Sequence, residues 1–283
     1  MKKAIIFGMG NIGAVLMKRL AEENIDVKYV VNSRGIFDTK FNKVAEKDKW
    51  KEISMDVDIV FECIPTDNDG NCALEYAMYF LSRGNLVITC EKASVAYHWD
   101  ILKKYRSLFK YTASVGGGTQ MLKEISLYKP KDILEIKAVV NGTLNYISWA
   151  INSGQKVEDV VREVLEKGYA EPGSNSLTEI IKNELNDVVL KTIIIANHSG
   201  MFAKTISKED IKVIEPGMIS TGMKRCVVRI AKGKIEVGFI ENNDEGWLPD
   251  GILNVLYING GLKARGPGAG AGATVFSMIA DLN

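Results

Sequence analysis

The chain opens on a strand that runs straight into a glycine turn. Lys2-Lys3-Ala4-Ile5-Ile6-Phe7 is short and apolar, and Gly8-Met9-Gly10-Asn11-Ile12-Gly13 follows with G-x-G-x-x-G spacing. Ile12, Val15, Leu16 and Leu20 then recur at helical spacing. A strand, a tight turn and an amphipathic helix in that order start a doubly wound α/β sheet. Gly8 permits the turn, Gly10 lets backbone approach a pyrophosphate, and Gly13 lets the helix pack close to the strand. The N–H groups of the first helical turn, at Asn11, Ile12 and Gly13, then point at the phosphates. The motif predicts a dinucleotide bound at Gly8, Gly10, Asn11, Ile12 and Gly13.

The first half continues in alternation. Val27–Val31, Val57–Cys63 and Leu86–Thr89 read as strands, while 71–83 and 97–108 read as helices. This pattern predicts a Rossmann-type parallel sheet with helices on both faces. Gly116-Gly117-Gly118 is expected to open a helix running to about Tyr128. After Lys129-Pro130 the texture changes to an α+β pattern: a strand at 133–140, a long interrupted helical stretch from Thr143 to Ser199, a hairpin over 226–240 turning at Lys232-Gly233-Lys234, and a strand at 254–258. The expected domains are a nucleotide-binding domain at 1–130 and a substrate-binding and dimerisation domain at 131–261. The C-terminal segment 262–283, with its apolar helix from Val275, is expected to return to the first domain.

Bulk properties exclude several classes. A formal net charge of +1 provides no general field for nucleic acid or a membrane surface. The four cysteines, Cys63, Cys72, Cys90 and Cys226, show no C-x-x-C spacing, and two histidines are too few for a histidine metal site. Reduced thiols and the lack of a leader pattern predict a cytoplasmic protein.

A carboxylate at the end of the second strand would hold a ribose 2′-hydroxyl and repel a 2′-phosphate. This strand ends Val31-Asn32-Ser33-Arg34, with no acid and with a guanidinium. An arginine fork pairs with phosphate, so NADP is the preferred cofactor over NAD, with Arg34 as its reader and Lys40 and Lys43 adding charge. Thr66, beyond the Val57–Cys63 strand, is assigned to the same cofactor.

The helical run 183–196 carries Asp187 and Lys191 one turn apart, above a core stripe expected at Leu177, Ile181, Leu185, Val188 and Ile195. Lys191 is the only charge between Val188 and Ala196, so no broad polar face receives it. A buried ammonium needs a partner or a cleft. Beside a carbonyl undergoing hydride addition, an ammonium stabilises the developing alkoxide and supplies its proton. The expectation is that this amine faces a bound coenzyme across a crevice between two lobes.

Several further segments carry a resemblance. Thr89-Cys90-Glu91-Lys92-Ala93, Ala113-Ser114-Val115-Gly116-Gly117-Gly118, Asn141-Gly142-Thr143-Leu144-Asn145-Tyr146, Gly168-Tyr169-Ala170-Glu171-Pro172 and Gly266-Pro267-Gly268-Ala269-Gly270, with Thr274 and Ala280-Asp281-Leu282, occur in order. With the glycine turn they resemble the homoserine dehydrogenase family through most of the chain. The resemblance implies interconversion of L-homoserine and L-aspartate 4-semialdehyde with NAD(P), in the threonine and methionine branch of amino-acid biosynthesis. It implies Lys191 as general acid/base, Lys92 beside nicotinamide and substrate, and Asp187 and Glu171 at the substrate amine. Gly142, Thr143 and Tyr169 would line the substrate pocket, and Gly268 and Gly270 would bring backbone near the cofactor. A monovalent cation, Na+ or K+, would take the carbonyls of Val115, Gly117 and Thr119.

The segment from Glu171 to Lys191 is about five residues longer than the family signature, and Leu185 stands in place of its glycine. Glu179 and Glu184 are substitute carboxylates there. Glu91 replaces an asparagine, and Thr112 stands where many members carry a glutamate. These departures leave two alternatives: a reductase of another amino-acid semialdehyde or amino acid, and a non-catalytic dinucleotide-binding sensor. A small-molecule substrate and a homodimer, without nucleic acid or membrane, are the expected partners.

Overall fold

The computed structural model describes residues 1–53, 56–170, 176–214, 224–240, 246–268 and 270–282. It divides into two compact units: Met1–Ser114 with Ala271–Asn283, and Val115–Gly270.

Unit 1 begins with β1 (Lys3–Phe7), α1 (Asn11–Glu22) and β2 (Asp26–Asn32), followed by two short strands, β3 (Gly35–Phe37) and β4 (Lys43–Ala45). A short α2 (Trp50–Ile53) leads to β5 (Ile59–Glu62), α3 (Asn71–Leu81) and β6 (Leu86–Thr89). Helices α4 (Ala93–Tyr97) and α5 (Trp99–Leu102) precede β7 (Phe109–Lys110). Among the described residues the sheet has seven strands in the order β4-β3-β2-β1-β5-β6-β7. The run from β2 to β7 is parallel, so the chain reverses its winding direction beside β1. The carboxyl ends of β1, β2 and β5 therefore form the switch point at which doubly wound sheets bind ligands. On one face, Ala4, Ile6, Phe61 and Ile88 pack with Leu16 and Leu20 of α1. On the other, Phe7 stacks on Tyr76 at 4.2 Å and meets Trp50 edge-on at 5.6 Å.

The sheet is not parallel throughout, because β3 and β4 pair antiparallel. Asn32 pairs with Gly35 across Ser33-Arg34, and its side-chain oxygen accepts from the Arg34 N–H at 2.8 Å. Gly35 sits at φ 139°, where a Cβ would press on Lys43. This turn closes a hairpin that the alternation pattern, tuned to crossovers, does not register. The helix expected over 97–108 also breaks. His98 leaves the helical region at φ −115°, ψ 26°, and its ring bonds the Asp69 carbonyl at 2.8 Å.

Unit 2 contains α6 (Met121–Ser126), β8 (Glu135–Val139), α7 (Gly142–Asn152), α8 (Val157–Glu166) and the long α9 (Leu177–Ser199). Its remaining strands are β9 (Lys212–Val213), β10 (Arg225–Ala231), β11 (Lys234–Ile240), β12 (Leu253–Ile258) and β13 (Gly261–Pro267). Among the described residues its sheet has six strands in the order β13-β12-β8-β10-β11-β9. The β10–β11 hairpin lies as the sequence predicts, while β9 and β13 carry no clear alternation and were not expected. The helix expected from Gly116 starts only at Met121. Residues Gly117–Thr119 form a tighter turn, and Gln120, at φ 53°, breaks the run. The unit boundaries fall after Ser114 and Gly270, where the sequence placed them at 130 and 261. The Gly117–Thr119 turn packs on β13, and α6 packs on β13 and α9, which draws 115–130 into unit 2. The last helix, α10 (Ala271–Ala280), packs on α1 in unit 1, and the Asp281 carboxylate accepts from the Thr112 N–H at 3.1 Å. Among the described residues, no helix is long and apolar enough to cross a membrane.

Candidate active site

At the switch point of unit 1, a cavity of about 510 Å³ is lined by Gly8, Met9, Gly10, Asn32, Ser33, Arg34, Lys47, Cys63 and Pro65, among others. Gly8 sits at φ 96° and its N–H donates to the Val31 carbonyl at 2.8 Å; a side chain there would collide with the Cys63 carbonyl. A Cβ on Gly13 would strike the Gly8 carbonyl, so helix and turn pack backbone on backbone. Gly10 differs, since a Cβ there would meet nothing within 4 Å. Packing thus demands glycine at positions 8 and 13, while position 10 opens onto free space. Gly10 is also the N-cap of α1, with no side-chain cap and no acid in the first turn. Uncapped N–H groups carry the positive end of the helix dipole, a fitting cradle for a pyrophosphate.

Arg34 lies on the cavity wall, as does Lys47, which the sequence reading missed. Lys43 reaches a neighbouring depression with Asn32 and Arg34, while Lys40 lines neither. Thr66 is half-buried and does not line the cavity, though Pro65 and Asp67 on either side do. The sequence signal that would have found Lys47 is weak, because it comes to the cavity through a loop and not a motif.

Lys92 is half-buried at the N-cap of α4, three residues beyond Thr89 at the carboxyl end of β6. Its neighbour Glu91 is 1% exposed, and its two oxygens accept from Ala93 N–H at 2.6 Å and Ser94 N–H at 2.8 Å. Glu91 therefore caps α4 at its positive end, which accounts for an acid at this position. Glu62, opposite Thr89 in the sheet, is fully buried and its carboxyl oxygens find no hydrogen-bond donor in good geometry. Burial, with the charge of Glu91 beside it, pushes its carboxyl well above the usual carboxylate range, against the pull of the Thr89 hydroxyl.

In unit 2 the functional candidates gather at the start of α7. Asn141 caps that helix, its Oδ1 accepting from Leu144 N–H at 2.8 Å. The Asn141 amide nitrogen donates to Glu184 Oε2 at 2.6 Å and to Asp187 Oδ2 at 3.0 Å. Lys191 Nζ stands 2.6 Å from that same Asp187 oxygen and donates to the Val140 carbonyl at 2.9 Å. The Lys191 and Asp187 side chains are only 12% and 10% exposed. Two carboxylates and one ammonium thus meet in a largely dry setting, where charge–charge interactions are strong.

The buried face of α9 keeps Val188 and Ile195 of the expected stripe and corrects the rest: Ile180, Glu184 and Asp187 are buried, whereas Leu177, Ile181 and Leu185 are half-buried. Polar partners at the end of β8 make the acidic face the inner one. Of the substitute carboxylates, Glu184 enters the cluster and Glu179 is exposed in the first turn of α9.

Gly142, Thr143 and Tyr169 join the same region. A Cβ on Gly142 would lie 2.7 Å from the Ile252 carbonyl, and the Thr143 hydroxyl donates to the Tyr169 carbonyl at 2.7 Å. The Gly268 N–H donates to that Ile252 carbonyl at 3.4 Å, while Gly270 is exposed at φ 106°. Glu171 lies outside the described residues. Asn141, quoted in the sequence only as part of a motif, proves central; an asparagine before a helical Gly-Thr is the cap signal that marks it.

Val115, Gly117 and Thr119 lie on the turn before α6. The Gly116 carbonyl there already accepts from the Thr119 N–H at 3.1 Å and hydroxyl at 2.8 Å, and a Cβ on Gly117 would press on the Gly268 carbonyl. Among the described residues, no group of three or more His, Cys, Asp or Glu side chains could hold a metal ion.

The homoserine dehydrogenase family model matches residues 121–282. The homoserine dehydrogenase of Sulfurisphaera tokodaii is 25% identical over an alignment covering 99% of this chain and 97% of that protein. The NAD(+)-dependent homoserine dehydrogenase of Pseudomonas canavaninivorans is 25% identical across 80% of this chain and 70% of its own length. A hyperthermophilic archaeal homoserine dehydrogenase in complex with NADPH superposes with a TM-score of 0.79 at 20% identity, covering 99% of this chain and 96% of that one. The match spans the turn before β8, the Asn141 cap, the Asp187–Lys191 pair and α10, and the chain belongs to the homoserine dehydrogenase family.

Proposed function

We propose that this chain interconverts L-homoserine and L-aspartate 4-semialdehyde, with Lys191 as the general acid/base. One observation carries the reading: the Lys191 ammonium, on an otherwise apolar stretch of helix, is pinned between Asp187 and the Val140 carbonyl beside a second buried acid. In the reducing direction the aldehyde carbon accepts a hydride and its oxygen becomes an alkoxide. Lys191 stabilises that charge and donates a proton to it; in the oxidising direction it takes the hydroxyl proton back. Asp187 and Glu184, spaced by the Asn141 amide, hold the substrate α-ammonium; Glu171, outside the described residues, is assigned to the same amine by the resemblance alone. Gly142, Thr143 and Tyr169 shape the pocket wall.

A bound nicotinamide dinucleotide supplies or accepts the hydride. Gly8, Gly10, Asn11, Ile12 and Gly13 would hold its pyrophosphate, and Lys92, Gly268 and Gly270 are assigned to the same cofactor. NADP is preferred, because Arg34 lines the cavity beside Asn32 with Lys47 near it. Thr66 keeps at most a peripheral part. A monovalent cation would be held by the carbonyls of Val115, Gly117 and Thr119, since backbone carbonyl oxygens suit a singly charged ion. The exposed Leu127, Leu134 and Leu262 of unit 2 support a homodimer, and the four free cysteines support a reducing, cytoplasmic setting.

The test is oxidation of NADPH and of NADH with L-aspartate 4-semialdehyde, with other amino-acid semialdehydes as controls. Rapid turnover favouring aspartate semialdehyde is expected. Turnover confined to another carbonyl, or cofactor binding without turnover, overturns the reading.

A further inference from the structure

The start of α7 is held from behind by a second buried polar side chain. Asn145, one turn beyond Asn141, is 1% exposed. Its amide nitrogen donates to the carbonyls of Pro249, Gly251 and Leu253 at 3.0, 2.7 and 3.3 Å. Its Oδ1 accepts from Arg225 Nε at 3.2 Å and Nη2 at 2.7 Å, and the same Nη2 donates to the Pro249 carbonyl. Arg225, the first residue of β10, is 2% exposed. Burial lowers its pKa and the charge of Asp250 opposes that shift. One amide and one guanidinium therefore join three elements: α7, β10, and the 249–253 loop that enters β12.

That loop reaches the site directly. Its Ile252 carbonyl leaves no room for any residue but glycine at position 142, next to the Asn141 cap. The tie between Arg225, Asn145 and the loop thus sets how far the first turn of α7 advances towards α9. That advance determines whether one Asn141 amide reaches Glu184 at 2.6 Å and Asp187 at 3.0 Å together. Distances of this kind tolerate little slack, since a shift of about 1 Å can cost on the order of a hundredfold in rate.

We propose that Arg225 and Asn145 are positioning residues for substrate selection: they fix α7 so that Asn141 spaces the two carboxylates that receive the α-ammonium. The inference rests on the function proposed above. A guanidinium is required because its planar fork serves the Asn145 oxygen through two nitrogens, which a lysine cannot do.

The test compares Arg225→Lys with the unaltered protein on L-aspartate 4-semialdehyde and on succinate semialdehyde, which lacks the α-amino group. The expected result is a fall of about tenfold in kcat/KM for the amino substrate, with the desamino substrate and the KM for NADPH within twofold. Adding Asn141→Ala to Arg225→Lys should cost no more discrimination than Asn141→Ala alone, because both act through one amide. Asn145→Ser is measured alongside and should reproduce the split if Arg225→Lys fails to fold. Equal losses on both substrates, or retained discrimination in the variants, overturn the positioning role. An unaltered protein that fails to prefer the amino substrate overturns the proposed function as well, so the two failures are distinct.

Discussion

Replacing Lys191 with methionine keeps most of the apolar stem and removes the ammonium. The structure gives two consequences of different size. The first concerns stability: the lost group stands 2.6 Å from Asp187 and 2.9 Å from the Val140 carbonyl, and the pair is little exposed. Removing one partner of such a pair costs about 3 kcal/mol, the low end of what buried pairs show, because some water still reaches it. A lowered urea midpoint at unchanged slope reads this directly. The second concerns chemistry. Loss of general acid help reduces kcat by roughly 10²–10⁴, or about 3–5 kcal/mol in the barrier, while the KM for NADPH stays unchanged. Combining Lys191→Met with Asp187→Asn separates the two effects. The double variant removes the opposing charge and should regain most of the stability, yet its turnover should remain as low as that of the single variant. Stopped-flow and steady-state absorbance of NADPH supply the rates. A single variant with kcat within about threefold of normal, or a double variant that recovers turnover with stability, refutes the assignment of Lys191.

Gly10→Ala and Gly13→Ala should differ in kind. The first meets open space, so it should leave the thermal midpoint unchanged and weaken NADPH binding; the second collides with the Gly8 carbonyl and should destabilise by about 1–3 kcal/mol, both read by calorimetry with and without cofactor. Arg34→Ala should raise the KM for NADPH about tenfold and that for NADH little, the signature of a lost charge-assisted bond to a 2′-phosphate. Glu62 holds its proton more tightly folded than unfolded, so its contribution turns unfavourable as pH climbs through and above the ordinary carboxylate range. Glu62→Gln should therefore raise stability at neutral pH and flatten its decline between mildly acidic and neutral pH, as measured by urea unfolding across that range.

Some features of this protein are fixed by short-range sequence alone. The glycine turn, the strands of the first crossover and the β10–β11 hairpin depend on residues close in the chain, so propensity and spacing suffice to place them. Asp187 and Lys191 are legible for the same reason, since a helix puts residues four apart on one face. Other features need contacts between distant segments. The antiparallel β3–β4 edge depends on a tight turn that resembles an ordinary loop. The inward face of α9 runs through Glu184 and Asp187, and not through Leu177 and Leu185, because the Asn141 amide arrives from beyond β8 to donate to both carboxylates and the Val140 carbonyl arrives to accept from Lys191. Arg225 shows the limit most clearly. In sequence it opens a strand like any surface arginine, and only folding places an asparagine oxygen and a loop carbonyl around it. Local patterning encodes which backbone forms; the burial of charge is decided by partners that the linear order does not bring together.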